Sequence, residues 1–388
     1  MSRRVAASSA IACVLIPVLA AMPARRPQYG GTLRVDIGAT LTSLDAGQGR
    51  AGSGEEAEAR AQIESLIGEH RQSAAADAGA FRVSEWQPGK LLTLAANEKF
   101  SGGRPYVDAI EISMGRNARD RLLDLELNKT DFAEIAPQDA RRAAERGVRL
   151  SVSQPDELLA LVFLNSAREK ARTQVREAIS CSIDRGAVVS FILQKTGEPA
   201  AGLLPQWVNG TAFLFSMPAS AAAGVARAKE LLQQMAGPTK LVLGYDSADA
   251  LEQAIAERVA VNAKEAGISI VTLGIVTGKT ASDSGADAVI LRLTMNSAKP
   301  RMALTDFLSE LGKLADVDGS ALSDLATTQD IFDRERAVIT DYQVVPLAWA
   351  PHVYGLSGRV RDWTAPGPAE SWPFADVWLE QPAASTPQ

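Results

Sequence analysis

Three groups of residues in this chain have types that could do chemistry. The stretch Gly274-Ile-Val-Thr-Gly-Lys-Thr280 has the composition of a loop that cradles phosphates on backbone N–H groups. It has three residues between its glycines where four are needed, and Leu273 stands where the first glycine should be. An exposed loop after a strand is therefore the expectation. His70 and His352 are the only histidines, and no His-x-x-His or Cys-x-x-Cys spacing exists, so no metal site is expected. No Gly-x-Ser-x-Gly occurs, and nothing evident would serve as base to a nucleophilic serine, so the chain does not read as an enzyme and no cofactor is expected. Glu55, Glu56 and Glu58 pair carboxylates, as a solvated first helical turn favoured by the helix dipole would. His70, at the charge-rich end of the same helix, is expected in solvent.

Binding is the better prospect, and aromatic residues carry it. The chain has only 21 Phe, Trp and Tyr, yet Trp349, Tyr354, Trp363, Trp372, Phe374 and Trp378 cluster near its end. Trp363 to Trp378 read mostly as core. Trp349 could either line a cleft or seal the core behind it.

These residues must be positioned by a chain of 388 residues, long for one core and comfortable for two lobes. A net charge of −6 without a basic run argues against nucleic acid as a partner. Arg3 and Arg4 precede an apolar run from Val5 to Met22 that ends in small residues, the layout of a signal peptide over 1–24. A periplasmic or extracellular location follows, with membrane anchoring if the signal is retained. Cys13 falls in that signal, leaving Cys181 as a single thiol suited to a small buried core position.

Periodicity places the main elements. Phe81 to Trp86 and Leu91 to Ala96 alternate around Gln87-Pro88-Gly89 and predict a hairpin, followed by a strand at Val107 to Ile112. Glu55 to His70 and Arg119 to Asn128 predict helices. Leu158 to Leu164 is a continuous apolar run suited to a buried strand. Asp184 is placed to cap a helix over Arg185 to Gln194. A β-α-β unit runs through Lys240–Tyr245, Ala248–Ala266 and Ile268–Leu273, with Gly267 at the helix C-cap, so this region is α/β. A long helix is predicted from about Ser320 to Asp341, then a strand from Val344 to Trp349, and a disordered tail over 381–388.

Several stretches carry a family likeness. They include Tyr29-Gly-Gly-Thr-Leu-Arg-Val35, Ser43-Leu-Asp45, and the hairpin followed by Asn97-x-x-Phe100-x-Gly102-x-x-Pro105 and Val107-Asp-Ala-Ile-Glu-Ile112. Val175-Arg-Glu-Ala-Ile-Ser-Cys-Ser-Ile-Asp-Arg185, Gly197-Glu-Pro-Ala-Ala-Gly-Leu-Leu-Pro205 and Pro346-Leu-Ala-Trp349 follow in order. The chain thus resembles the extracytoplasmic solute-binding proteins of the peptide/nickel class, family 5 of those that serve ABC importers.

The resemblance implies an α/β, two-lobed periplasmic-binding-protein fold (type II-like). Lobe I would comprise 29–164 plus 350–380, and lobe II 165–349, with hinge crossings at Asn165-Ser166 and near Pro351. Asp45 and Gly79 are only about thirty positions apart where the family has a much longer segment, which implies that the accessory domain is largely missing. The implied function is capture of a small, peptide-like solute in the interlobe cleft for an ABC permease by a monomeric protein. The alternative is a degenerate homologue that senses or scaffolds without transport. Ligand contacts are expected from Trp349, Asn296, Arg292, Tyr245 and Trp207. Peptide binders of this class commonly hold the α-amino group with an acid in a stretch that corresponds to Leu293–Pro300. Asn296 stands in that place here, and Arg292 and Lys299 would favour an anionic group instead.

Overall fold

The structure, a computed structural model, describes residues 26–44, 54–68, 79–167, 171–233, 240–276, 280–368 and 370–380. The signal peptide, Cys13, His70, Lys279 and the tail lie outside the described residues, as does part of the Gly274–Thr280 stretch.

Two sheets carry the chain. The first contains β1 (Thr32–Asp36), β2 (Phe81–Gln87), β3 (Leu91–Ala96), β4 (Ala109–Ser113), β5 (Phe132–Ile135) and β6 (Arg149–Val152), joined late by β13 (Val353–Leu356). Its order is β2-β3-β4-β1-β5-β13-β6, with β4, β1 and β5 parallel. Three helices serve it: α1 (Gly54–Ile67), α2 (Ala118–Glu126) and α3 (Ala140–Glu145). Gly89, at φ +71°, closes the predicted hairpin.

The second sheet contains β7 (Glu157–Phe163), β8 (Glu198–Pro199), β9 (Lys240–Asp246), β10 (Ser269–Ile275), β11 (Ala288–Thr294) and β12 (Val344–Ala350), in the order β10-β9-β11-β7-β12-β8. Around it lie α4 (Thr173–Ser182), α5 (Arg185–Ala187), α6 (Gln206–Asn209), α7 (Ala221–Gln233), α8 (Ala250–Ala266), α9 (Pro300–Leu311) and α10 (Thr328–Thr340). The predicted β-α-β unit is present as β9, α8 and a parallel β10, with Gly267 left-handed at the C-cap. A small ribbon, β14 (Val360–Arg361) with β15 (Trp378–Leu379), ends the fold.

The apolar run of β7 is continuous because both faces of its sheet are covered. Leu159, Leu161 and Phe163 enter the core beneath α4 and α8, while Leu158, Ala160 and Val162 enter the opposite core with Leu304, Phe307 and Trp349. β7 pairs with β11 and β12, so it belongs to the second sheet rather than, as expected, to the first lobe. Full burial is blind to which sheet a strand joins. Strand order changes sheet twice: between β6 and β7, and between β12 and β13. Asn165 and Ser166 lie past the far end of β7, where the Asn165 N–H donates to the Leu314 carbonyl, and so are not at a crossing. Pro351 is, between β12 and β13.

Two motif arginines prove structural. Arg185 is buried and donates to the carbonyls of Pro346 (2.8 Å), Ala200 and Ser180; burial pulls its guanidinium down to about 10. Arg176 donates to the carbonyls of Asp341 and Ala171. Asp184 caps as predicted, accepting from the Ala187 N–H, but the helix after it is one short turn followed by a π turn, Val188–Ile192. Cys181 is only half-buried against the helix core. In the Gly197–Pro205 loop, a Cβ on Gly202 would lie 2.5 Å from a Glu335 carboxylate oxygen. That close approach lets Glu335 accept the Leu204 N–H at 2.9 Å, and burial raises its carboxyl to about 7. The helix predicted from Ser320 starts only at Thr328, because Thr327 and Asp330 form a capping box there.

The late aromatics seal the first sheet. Phe132 lies at 5.1 Å from Phe374, 4.6 Å from Trp363 and 5.4 Å from Tyr354, ring centre to ring centre. Phe374→Ala should therefore lower unfolding free energy by about 3–5 kcal/mol, measured by urea denaturation. A loss under 1 kcal/mol would contradict its place in that core.

Candidate functional site: an acidic cleft at the two crossings

The two crossings run side by side. The Ser153 N–H donates to the His352 carbonyl (3.0 Å), and the His352 N–H donates back to Ser153 Oγ (3.0 Å). The Asp156 N–H donates to Ala350, and the Met295 N–H to Asp156. Against them opens a cleft of about 600 Å³. One wall is α1 (Ala57, Glu58, Ala61, Gln62), Tyr354 and Pro366, Gly367, Glu370 and Ser371; the other is the end of β11 with Asp306, Phe307 and Glu310 of α9. Gln62 pins the first wall together, donating to the Glu370 carbonyl and accepting the Trp372 N–H at 2.7 Å.

His352 sits at the centre of the floor, 7% exposed in its side chain. Its Nδ1 lies 2.8 Å from Glu134 Oε1, while Nε2 lies 3.7 Å from Asp156 and 3.8 Å from Glu58. Burial would lower the imidazole, but Glu134, Glu58 and Asp156 together hold it well above its usual value. Burial would likewise raise Glu134, but the charge and hydrogen bond of His352 hold that carboxyl down at about 2. Glu58 and Asp156 get less help: burial, only partly opposed by His352, pushes them up to about 7 and about 6.

The candidates from sequence divide. Arg292 and Asn296 do line the cleft. Arg292, however, is committed: its guanidinium grips Glu157 at 2.8 and 2.9 Å and Asp249 at 2.6 Å. It therefore does not present a free cation to an anionic ligand, as the sequence reading had it. Trp349 is 2% exposed and lies one layer behind the wall, stacked at 6.1 Å on Phe307, which does face the cleft. Trp207 instead buttresses the first crossing, donating to the Pro155 carbonyl at 3.1 Å. Tyr245 packs on the helix-side core of the second sheet, away from the cleft. Lys299 immediately precedes α9.

Sequence reasoning missed His352, Asp156, Glu134 and Glu157, and took Glu58 for a solvated residue. The legible signal was Asp156-Glu157, two acids directly before an apolar run. Among the described residues no group of three or more His, Cys, Asp or Glu side chains is disposed to hold a metal ion. No described helix is long and apolar enough to cross a membrane.

Two sheets joined by paired crossings, with a cleft between them, define a two-lobed solute-binding fold. Residues 61–314 match the sequence model of the bacterial extracellular solute-binding proteins, family 5, and the chain belongs to that family. It is similar to the oligopeptide-binding protein AppA of Bacillus subtilis, 29% identical over 125 residues, which are 31% of this chain and 23% of that one. It is also similar to the nickel-binding protein NikA of Staphylococcus aureus, 24% identical over 123 residues, which are 31% and 25% of the two chains. These matches span about a quarter of the relatives' lengths. The crystal structure of the ABC transporter substrate-binding protein CtaP from Listeria monocytogenes shares the fold, with a TM-score of 0.64 at 16% identity over 82% of this chain and 70% of that one. The chain is a shortened form of this fold.

The charges on the floor make stability depend on pH. His352, raised above its unfolded value near 6.5, stabilises fully below about pH 6.5 and loses that contribution as pH rises through its folded value. Glu134, held near 2 against an ordinary 4.5, contributes above about pH 4.5 and fades as pH falls towards 2. The pair is strongest between those limits. His352→Gln should thus cost about 2 kcal/mol near pH 6 and less at pH 9 or above, by denaturant titration at both. An equal cost at both pH values would contradict the pairing.

Proposed function

We propose that this protein captures a small, peptide-like solute in the cleft at its two crossings and presents it to the permease of an ABC importer. The carrying observation is that both sheets supply walls to one cleft while, among the described residues, the chain passes between them at 153–156 and 351–352. Two short adjacent passages suit hinge closure, which removes the solute from water and strengthens its hydrogen bonds. Closure follows from tighter binding to the closed form than to the open one. The name of the oligopeptide-binding relative supports a peptide-like solute. The protein itself binds and releases; ATP hydrolysis belongs to its partner. Such a role places it outside the cytoplasm, as family membership supports.

The test is thermal and chemical denaturation of the protein with pools of peptides, sugars, opines and metal chelates. A captured solute at a hundredfold excess over its dissociation constant should add about 2.7 kcal/mol, and small-angle scattering should show a more compact particle. No stabilisation by any pool would overturn capture and favour a sensor or scaffold role.

A further inference from the structure

The charges on the cleft floor do not balance, and the imbalance has a direction. Each cation there is already spent. Arg292 is gripped by Glu157 and Asp249, and His352 gives Nδ1 to Glu134 at 2.8 Å. Asp156 is not matched in this way. It is 5% exposed, its Oδ1 is buried with no hydrogen-bond partner, and its nearest cation is His352 Nε2 at 3.7 Å. Glu58, on α1, stands 3.8 Å from that same nitrogen. Two carboxylates thus share one N–H that lies beyond hydrogen-bond distance of either. Burial raises both carboxyls, and His352 opposes it only in part.

The walls above this pair are mixed: Ala57, Ala61, Leu293, Met295 and Phe307 line the cleft alongside Gln62, Asn296, Asp306 and Glu310, so a charge can reach the floor on an aliphatic stem laid along the apolar part. An α-ammonium, crowded by its own backbone and side chain, fits that approach poorly. A lysine-like amine or an arginine-like guanidinium fits it well, since such side chains lay their methylenes along apolar walls and place the head among acceptors.

We infer that the solute carries a basic group on an aliphatic arm, seated between Asp156 and Glu58 on the cleft floor. This rests on the cleft being the site of capture. Seating the arm would tie the first wall to the hinge, because the two acceptors come from different elements: Glu58 from α1, and Asp156 from the crossing that leads into β7.

The test is calorimetric titration with four tripeptides that differ only at the centre: Ala-Lys-Ala and its counterparts with Nε-acetyl-lysine, norleucine or glutamate, with 1,5-diaminopentane as a fifth probe. Ala-Lys-Ala, or the diamine where the peptide backbone contributes nothing, should bind at least about tenfold tighter than the three uncharged or acidic peptides. Glu58→Gln and Asp156→Asn should each remove about tenfold or more from that preference. Glu58 is only half-buried on α1, so its variant remains informative should Asp156→Asn fold poorly. Equal or tighter binding of the norleucine, acetylated or glutamate peptide would overturn the inference and leave solute capture standing. Failure of all five probes, with a solute found in the broader pools, would overturn it equally. Failure in both experiments would remove the capture reading as well.

Discussion

The fold depends on how its two crossings are tied together. Two sheets with separate cores meet where the chain passes from β6 to β7 and returns from β12 to β13, and the passages exchange hydrogen bonds at Ser153 with His352 and at Asp156 with Ala350. A pair of passages bound this way can bend together but cannot shear past one another. Trp207 steadies the first passage from the side through the Pro155 carbonyl. Everything that lines the cleft is referenced to this seam, including the end of β11, which is tied to it by the Met295 N–H on Asp156.

The same seam explains why charge is buried there. A carboxylate out of water costs several kcal/mol unless matched, so an unmatched one persists only where the backbone holds it in place. Asp156 is held in that way, since its N–H and its carbonyl both belong to the ties just described. Glu134 is matched by His352 and is depressed accordingly. Glu58 and Asp156 are under-matched, and because their folded values lie above their ordinary ones they cost stability as pH rises between the two. A binding site that sacrifices stability for unfilled acceptors is the usual arrangement where a ligand supplies the missing donor.

Local elements were legible in the sequence where period and punctuation agreed. The hairpin closed by Gly89, the helix ended by Gly267 and the strand opening at Val344 lie within a few residues of expectation. The start of α10 was misjudged because Ala321, Leu322 and Leu325 mimic a helical face, whereas Thr327 and Asp330 decide the boundary. The site was far less legible. Arg292 reads as a free cation in sequence, and only pairing across strands and helices shows that Glu157 and Asp249 consume it. His352 has nothing acidic within several positions, and its carboxylates come from residues 58, 134 and 156. Contacts at such separations leave no local pattern to read.

Although the segment between β1 and β2 is short, the first lobe supplies one wall of the cleft. α1 lines it through Ala57, Glu58, Ala61 and Gln62. The rest of the wall comes from late in the chain, Pro366, Gly367, Glu370 and Ser371, and Gln62 ties α1 to it through Glu370 and Trp372. The aromatic cluster then has a second role beyond sealing the core. Trp372 and Phe374 anchor that segment on Phe132, and Phe132 begins the strand that carries Glu134. Core packing thereby sets where the cleft's wall and its charged floor stand relative to each other.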